Sequence, residues 1–306
     1  MSTPHDTTER ADVYQRVTDQ IVQAIESGAD QWKMPWNTVG TDSFSPINVA
    51  SKRAYRGINI LALWAQAQAK GYTSGTWATY KQWQEIGCQV RKGEKATLVV
   101  FWKFFDRREE SEDSDGSDDS GTLHSSRGCV ARGYHVFNAD QVDGYTGAKL
   151  PDRPHAERIA DAEEFFANLG GTVKHGGNRA FYRPADDCIQ MPAFEQFPDP
   201  LNYYGTLAHE YTHWTGSKSR CDRQMGKRFG DDAYAAEELV AELGAAFVCS
   251  TIGIISEPRP DHAAYIQSWL KVLKADKRAI FTAASKAQQA CDWMHAKQAK
   301  AVAVAA

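Results

Sequence analysis

Apolar residues recur every fourth position at Val13, Val17, Ile21 and Ile25, and Gly28 follows, a spacing that predicts an amphipathic first helix. A second helix is predicted from about Ile58 to Lys70, with Leu61, Trp64 and Ala65 on one side and Gly71 at its end. A third, around Tyr80, Trp83 and Ile86, closes at Gly87. The β-branched and aromatic runs Thr97 to Trp102 and Tyr134 to Phe137 read as strands. Between them, Arg107 to Arg127 is acidic and rich in Ser, Asp and Gly. It has too little apolar surface to bury, so a mobile hairpin loop is expected.

The Pro-rich LPDRP at Leu150 to Pro154 marks a boundary, predicting two domains, 1–150 and 151–306. A helix over Ala156 to Leu169, stopped by Gly170 and Gly171, opens the second half. Short strands follow around Thr172 to His175, Ala180 to Arg183 and Cys188 to Met191, then helices to the end. The expected fold class is α+β.

Composition narrows the setting. The six cysteines form no C-x-x-C pair, which argues against a disulfide framework or a cysteine zinc ribbon and for a reducing compartment. No signal-like segment or spanning run is visible, so a soluble, cytoplasmic protein with no membrane partner is expected. The formal net charge is -4, yet the window from Ala50 to Lys103 holds nine basic residues against two acidic ones.

The sharpest chemical signal is His209-Glu210-Tyr211-Thr212-His213. Helical positions four apart lie one turn above each other, so two imidazoles can meet one ion. Glu210 is then placed to take a proton from a water activated by that ion. A histidine on a helix is more often structural, but Gly216 ends this helix and a carboxylate-rich segment follows. A catalytic site needs a third protein ligand. The subclass with a third histidine after the motif is excluded, because Ser219 stands there. A carboxylate from Ala235 to Leu243 is the other solution. Glu238 is assigned as ligand and Glu242 as the group orienting a ligating histidine, with Glu237 as the alternative ligand and plain solvated carboxylates as the bland reading. Tyr234, one turn before Glu238, is a candidate donor to an oxyanion, against simple packing. Zn2+ is the default metal, and two histidines with a carboxylate also accept Mn2+ or Co2+. Strand Cys188 to Met191 is a candidate rail for an extended peptide.

In the basic window, Lys52, Arg53, Arg56, Lys81, Arg91, Lys92 and Lys95 could neutralise phosphates. Tyr55, Trp77 and Tyr80 could stack on unpaired bases of single-stranded nucleic acid. The competing view makes the cations an ordinary wet surface and, on periodicity, assigns most of Trp64, Trp83 and Trp102 to the core.

Several stretches together resemble the ArdC-type anti-restriction proteins of conjugative plasmids, whose N-terminal region is similar to that of TraC-type primases. They are PINVASKRAYRGINILAL (46–63), TWATYKQW with GCQVRKGEKATLVVFWK (76–103), YHVFNADQVDG (134–144), CIQMP with YYGTLAHEYTHWTGSKSRCDR (188–223), YAAEELVAELGAAF (234–247) and YIQSWLKVL (265–273). The resemblance covers nearly the whole chain. It implies an N-terminal single-stranded DNA-binding domain and a C-terminal zincin-like metallopeptidase domain, protecting incoming DNA from restriction. By motif position it carries metal binding to His209, His213 and Glu238, with Glu210 as base. The acidic segment 109–121 has no match. Three readings follow: a metalloprotease brought by DNA to a protein target such as a restriction-system component, a DNA-binding protector with an inert metal domain, and a general metallopeptidase without nucleic acid.

Overall fold

The computed structural model describes residues 12–29, 45–107, 126–147, 155–223, 232–254 and 262–304. Helix α1 (Val13–Ala29) buries Val17, Ile21 and Ile25, the stripe its spacing predicts. The short strand β1 (Ile47–Asn48) leads to α2 (Ile58–Lys70), which ends where Gly71 turns to φ 67°, a left-handed conformation that glycine adopts without a Cβ clash. Strand β2 (Thr76–Ala78) precedes α3 (Tyr80–Glu85), whose start is fixed by a reciprocal cap between Thr79 and Gln82. Strand β3 (Gln89–Val90) is followed by the long hairpin β4 (Thr97–Arg107) and β5 (Ser126–Asn138), and then by β6 (Val142–Asp143).

A four-stranded sheet runs β1-β2-β5-β4, and β3 pairs with β6 apart from it. The hairpin is longer than predicted, because antiparallel pairing continues to Arg107 opposite Ser126 whatever the side chains there. Arg107, Ser126 and Arg127, expected in the loop, are therefore strand residues. Residues 108–125, the rest of the expected acidic loop, and the predicted boundary at 150–154 lie outside the described residues.

The second half begins with α4 (His155–Ala167) and a three-stranded sheet of β7 (Thr172–His175), β8 (Phe181–Arg183) and β9 (Cys188–Met191). Among the described residues, four helices follow: α5 (Pro200–Thr215), α6 (Asp232–Ile252), α7 (His262–Ala275) and α8 (Ala279–Val304).

The largest buried cluster joins both halves. Trp64 of α2 meets Phe247 of α6 with ring centroids 6.0 Å apart. Helix α1 lies on α7, where Lys274 pairs with Glu26 at 2.6 Å, and just beyond α7 the Lys277 carbonyl accepts from the Thr18 hydroxyl at 2.7 Å. The cysteines described, Cys88, Cys188, Cys221, Cys249 and Cys291, are all free thiols. No described helix is long and apolar enough to cross a membrane.

Candidate metal centre

Helix α5 begins where its sequence says it should. Asp199 accepts hydrogen bonds from the amides of Leu201 and Asn202 at 2.6 and 3.1 Å, and Pro200, which has no amide proton to leave unpaired, takes the first helical position. Both histidines face α6, and the two helices approach closely at Gly244. A methyl group there would overlap the side chain of Thr212, so a residue with any side chain would push α6 away from the histidines.

The four-residue spacing places His209 Nε2 and His213 Nε2 3.1 Å apart. Glu238 reaches toward both, with one carboxylate oxygen 3.4 Å from His213 Nε2 and the other 3.6 Å from His209 Nε2. One ligand atom from each of the three residues falls within a 4.8 Å span. On their far sides, His209 Nδ1 lies 2.9 Å from Glu242 and His213 Nδ1 lies 3.4 Å from Glu237. With a proton on each Nδ1, where a carboxylate stands within reach, the two Nε2 lone pairs would be aimed at one another, an arrangement that only a shared cation or proton makes favourable. The donor set therefore fits a divalent metal.

Charge leads to the same conclusion. Glu210, Glu237, Glu238 and Glu242 are all buried, and the buried cation that meets one of them is Arg223. Burial pushes the His213 imidazolium toward losing its proton, but Glu237, Glu238 and Glu210 outweigh that and raise its pKa to about 10. Burial likewise opposes ionisation of Glu238, yet the two histidines hold its carboxyl well below the usual range. Glu237 is also lowered against its burial, by His213 and Arg223.

The sequence-predicted residues divide clearly. His209, His213 and Glu238 come together, Glu242 stands at the far nitrogen of His209, and Glu210 is buried on α5, where its charge helps to raise the His213 pKa. Glu237, read as the alternative ligand, contacts the far nitrogen of His213 instead and is clasped by Arg223, whose Nη2 and Nε donate at 2.8 and 3.2 Å. The same guanidinium donates to the Thr215 hydroxyl at 2.8 Å, which ties the segment after α5 to the site. Nothing in the spacing marked Arg223, because its partner lies 14 residues on. Tyr234 stands half-buried on the first turns of α6.

Strand β9 is not an open rail. It is the middle strand of its sheet, paired with β7 on one side and β8 on the other, so its backbone groups are already committed; the unpaired edges belong to β7 and β8.

In the basic window, Lys52, Arg53, Arg56, Lys81, Arg91, Lys92 and Lys95 are exposed, as is the Tyr80 ring. Several meet acids: Arg56 pairs with Asp292, Lys81 with Glu85 at 3.7 Å, and Arg91 with Glu94 at 3.2 Å and Asp143 at 3.5 Å. Two expected stackers are withdrawn from solvent. Trp77 is 1% exposed within the core and Tyr55 is also buried, its hydroxyl accepting from Asn48 at 3.2 Å. The reverse holds for Trp102, which is exposed, while Trp64 and Trp83 are core residues.

Known proteins resemble this chain over most of its length. The model of the N-terminal domain of the anti-restriction factor ArdC matches residues 11–137, and that of a zincin-like metallopeptidase matches residues 160–286. The chain is 53% identical over 290 residues to the uncharacterized protein y4eC of Sinorhizobium fredii, covering 95% of this chain and 94% of that one. It is 36% identical to an Escherichia coli DNA primase TraC over 94% of its own length, but spans only 27% of the primase. Among solved structures, the metal-free crystal structure of the antirestriction protein ArdC from plasmid R388 superposes with a TM-score of 0.75 at 41% identity, covering 94% of this chain and 98% of that one. The Mn(II)-bound form of the same protein superposes at 0.73 with 39% identity and the same coverage. With the resemblance extending over nearly all of both chains, this protein belongs to the ArdC family of antirestriction proteins.

Proposed function

We propose that the chain binds single-stranded DNA through its N-terminal half (1–150) and uses the α5–α6 site of its C-terminal half (151–306) as a metallopeptidase, shielding incoming conjugative DNA from restriction in the cytoplasm. The observation that carries the peptidase reading is the convergence of the two Nε2 atoms, 3.1 Å apart, with Glu238. His209, His213 and Glu238 would hold the ion. When bound, it supplies Lewis acidity that brings the pKa of water toward about 7. Glu210 takes the proton from the attacking water and returns it to the leaving amine. Glu242 and Glu237 keep the imidazoles turned the right way. Tyr234 donates to the oxyanion. Zinc suits this donor set, and Mn2+ or Co2+ fits it too, in keeping with the Mn(II) in the R388 ArdC structure.

Single-stranded DNA as partner is supported by family membership and by the exposed cations of residues 52–95. A host restriction-system protein is the proposed target of the peptidase. Glu210→Ala should abolish protection of transferred DNA while metal content and salt-dependent oligonucleotide binding persist. Full protection by that variant would overturn the enzymatic reading in favour of a DNA-binding protector.

A further inference from the structure

A cleft of about 1080 Å3 opens between the turn at residues 51–57, the outer edge of β4 and the first half of α8. It exceeds the roughly 300–1,000 Å3 common for small-molecule pockets. Strand β4 ends its sheet, and at Val100 its outward-facing amide and carbonyl are both engaged by the Asn59 side chain, at 2.7 and 2.8 Å. Beyond that point the strand offers rings to the cleft. Phe101 is 49% exposed and Trp102 37% exposed, although large aromatic rings are ordinarily buried. Each is braced edge-on by a neighbour, Phe101 by Tyr134 and Trp102 by Phe281 of α8, leaving other ring surface open to a partner.

The opposite wall belongs to the metallopeptidase half. Gln288 of α8 accepts from the Gly57 amide at 2.9 Å and donates to Asp292 at 3.0 Å, and Asp292 pairs with Arg56. That pair is solvent-exposed, with side chains 62% and 47% accessible. Exposed pairs of this kind are weak and exchange readily, and a phosphate offers a guanidinium the same two-oxygen geometry as a carboxylate. Arg53 lines the same cleft. Flat rings, amide side chains and two guanidiniums suit unpaired bases on a phosphate backbone, and a duplex would keep its bases from the rings.

We propose that a single nucleic-acid strand lies in this cleft, stacking on Phe101 and Trp102, with α8 as one wall and with a phosphate taking the place of Asp292 at Arg56. This rests on the reading that the chain binds single-stranded DNA, and adds where the strand runs and that both halves hold it.

The test measures binding of a fluorescent oligothymidylate to the full chain across a salt series, with unlabelled duplex as competitor. Phe101→Ala should weaken binding about 5- to 100-fold with the salt slope unchanged. Arg53→Gln should reduce the slope by about 0.7, one phosphate contact on a single strand. Asp292→Asn should tighten binding and steepen the slope, and that gain should vanish when combined with Arg56→Gln. A gain cannot come from misfolding. If the wild type binds with a clear salt slope and all four substitutions leave affinity and slope unchanged, the strand runs elsewhere and the single-strand reading survives. Duplex competing as well as single strand would also overturn the stacked path. If the wild type fails to bind even at low salt, the cleft and the underlying reading fall together.

Discussion

Around His209 and His213 four carboxylates and one guanidinium are withdrawn from water between two helices, whereas along residues 52–95 the cations stand in solvent and borrow acids from distant segments. The first arrangement is nearly all-or-none, because each buried charge is tolerable only while its partner is present. In the second, ions and water substitute for any lost partner, so single changes act weakly and salt matters more. Damage to the two regions should therefore be read on different instruments, stability and metal content for one and salt slopes for the other.

The largest contrast is expected from Arg223→Met. It leaves the Glu237 carboxylate buried without its cation and should lower unfolding stability by about 3–5 kcal/mol in urea titration. A loss below about 1 kcal/mol, the range of surface ion pairs, would mean that the buried network is no tighter than the surface.

Next comes pH. The His213 pKa is raised from 6.5 to about 10, so its proton stabilises the metal-free protein fully below about 6.5, and this contribution fades as pH rises toward about 10. A metal needs the unprotonated nitrogen and follows the opposite trend. Its apparent affinity should rise about tenfold per pH unit between about pH 6 and 8, measured by chelator competition. A flat profile would show that His213 is neutral before metal arrives.

Glu237→Gln keeps the shape but removes the charge facing His213 Nδ1, and metal affinity should fall about 10- to 100-fold. The smallest effect belongs to the surface. Lys81→Ala removes an exposed pair with Glu85 one helical turn away and should cost about 0.3–0.5 kcal/mol in thermal or urea unfolding. A loss of several kcal/mol there would erase the distinction between the regions.

The same contrast explains what could be read from the residues alone. The helical period sets where His213 falls relative to His209 and where Glu242 falls relative to Glu238, so those juxtapositions are legible in the sequence. Period also identified Val17, Ile21 and Ile25. It could not separate Glu237 from Glu238, adjacent on one helix, because that choice depends on how α6 is rotated against α5, and the rotation is set by contacts such as Gly244 on Thr212. Arg223 was invisible for a related reason: a cation in a polar segment looks solvated until the fold closes over it. Strand β9 reads as apolar because it is central, the same property that removes it from peptide pairing. In the basic window, composition counted the charges correctly but could not show that Asp292, more than two hundred residues downstream, meets Arg56, nor that Trp77 is buried while Trp102 is exposed.

The clasp between α1 and α7 has a consequence for how the chain is made. Ribosomes add about 5–20 residues per second, so the first helix emerges roughly 10–50 seconds before the helix it will finally lie against. During that interval part of its greasy stripe must be sheltered by α2 and β5, its earlier neighbours, or by a chaperone. A nascent chain arrested before residue 262 should thus be stickier than the finished protein, although every segment it contains has already been translated correctly.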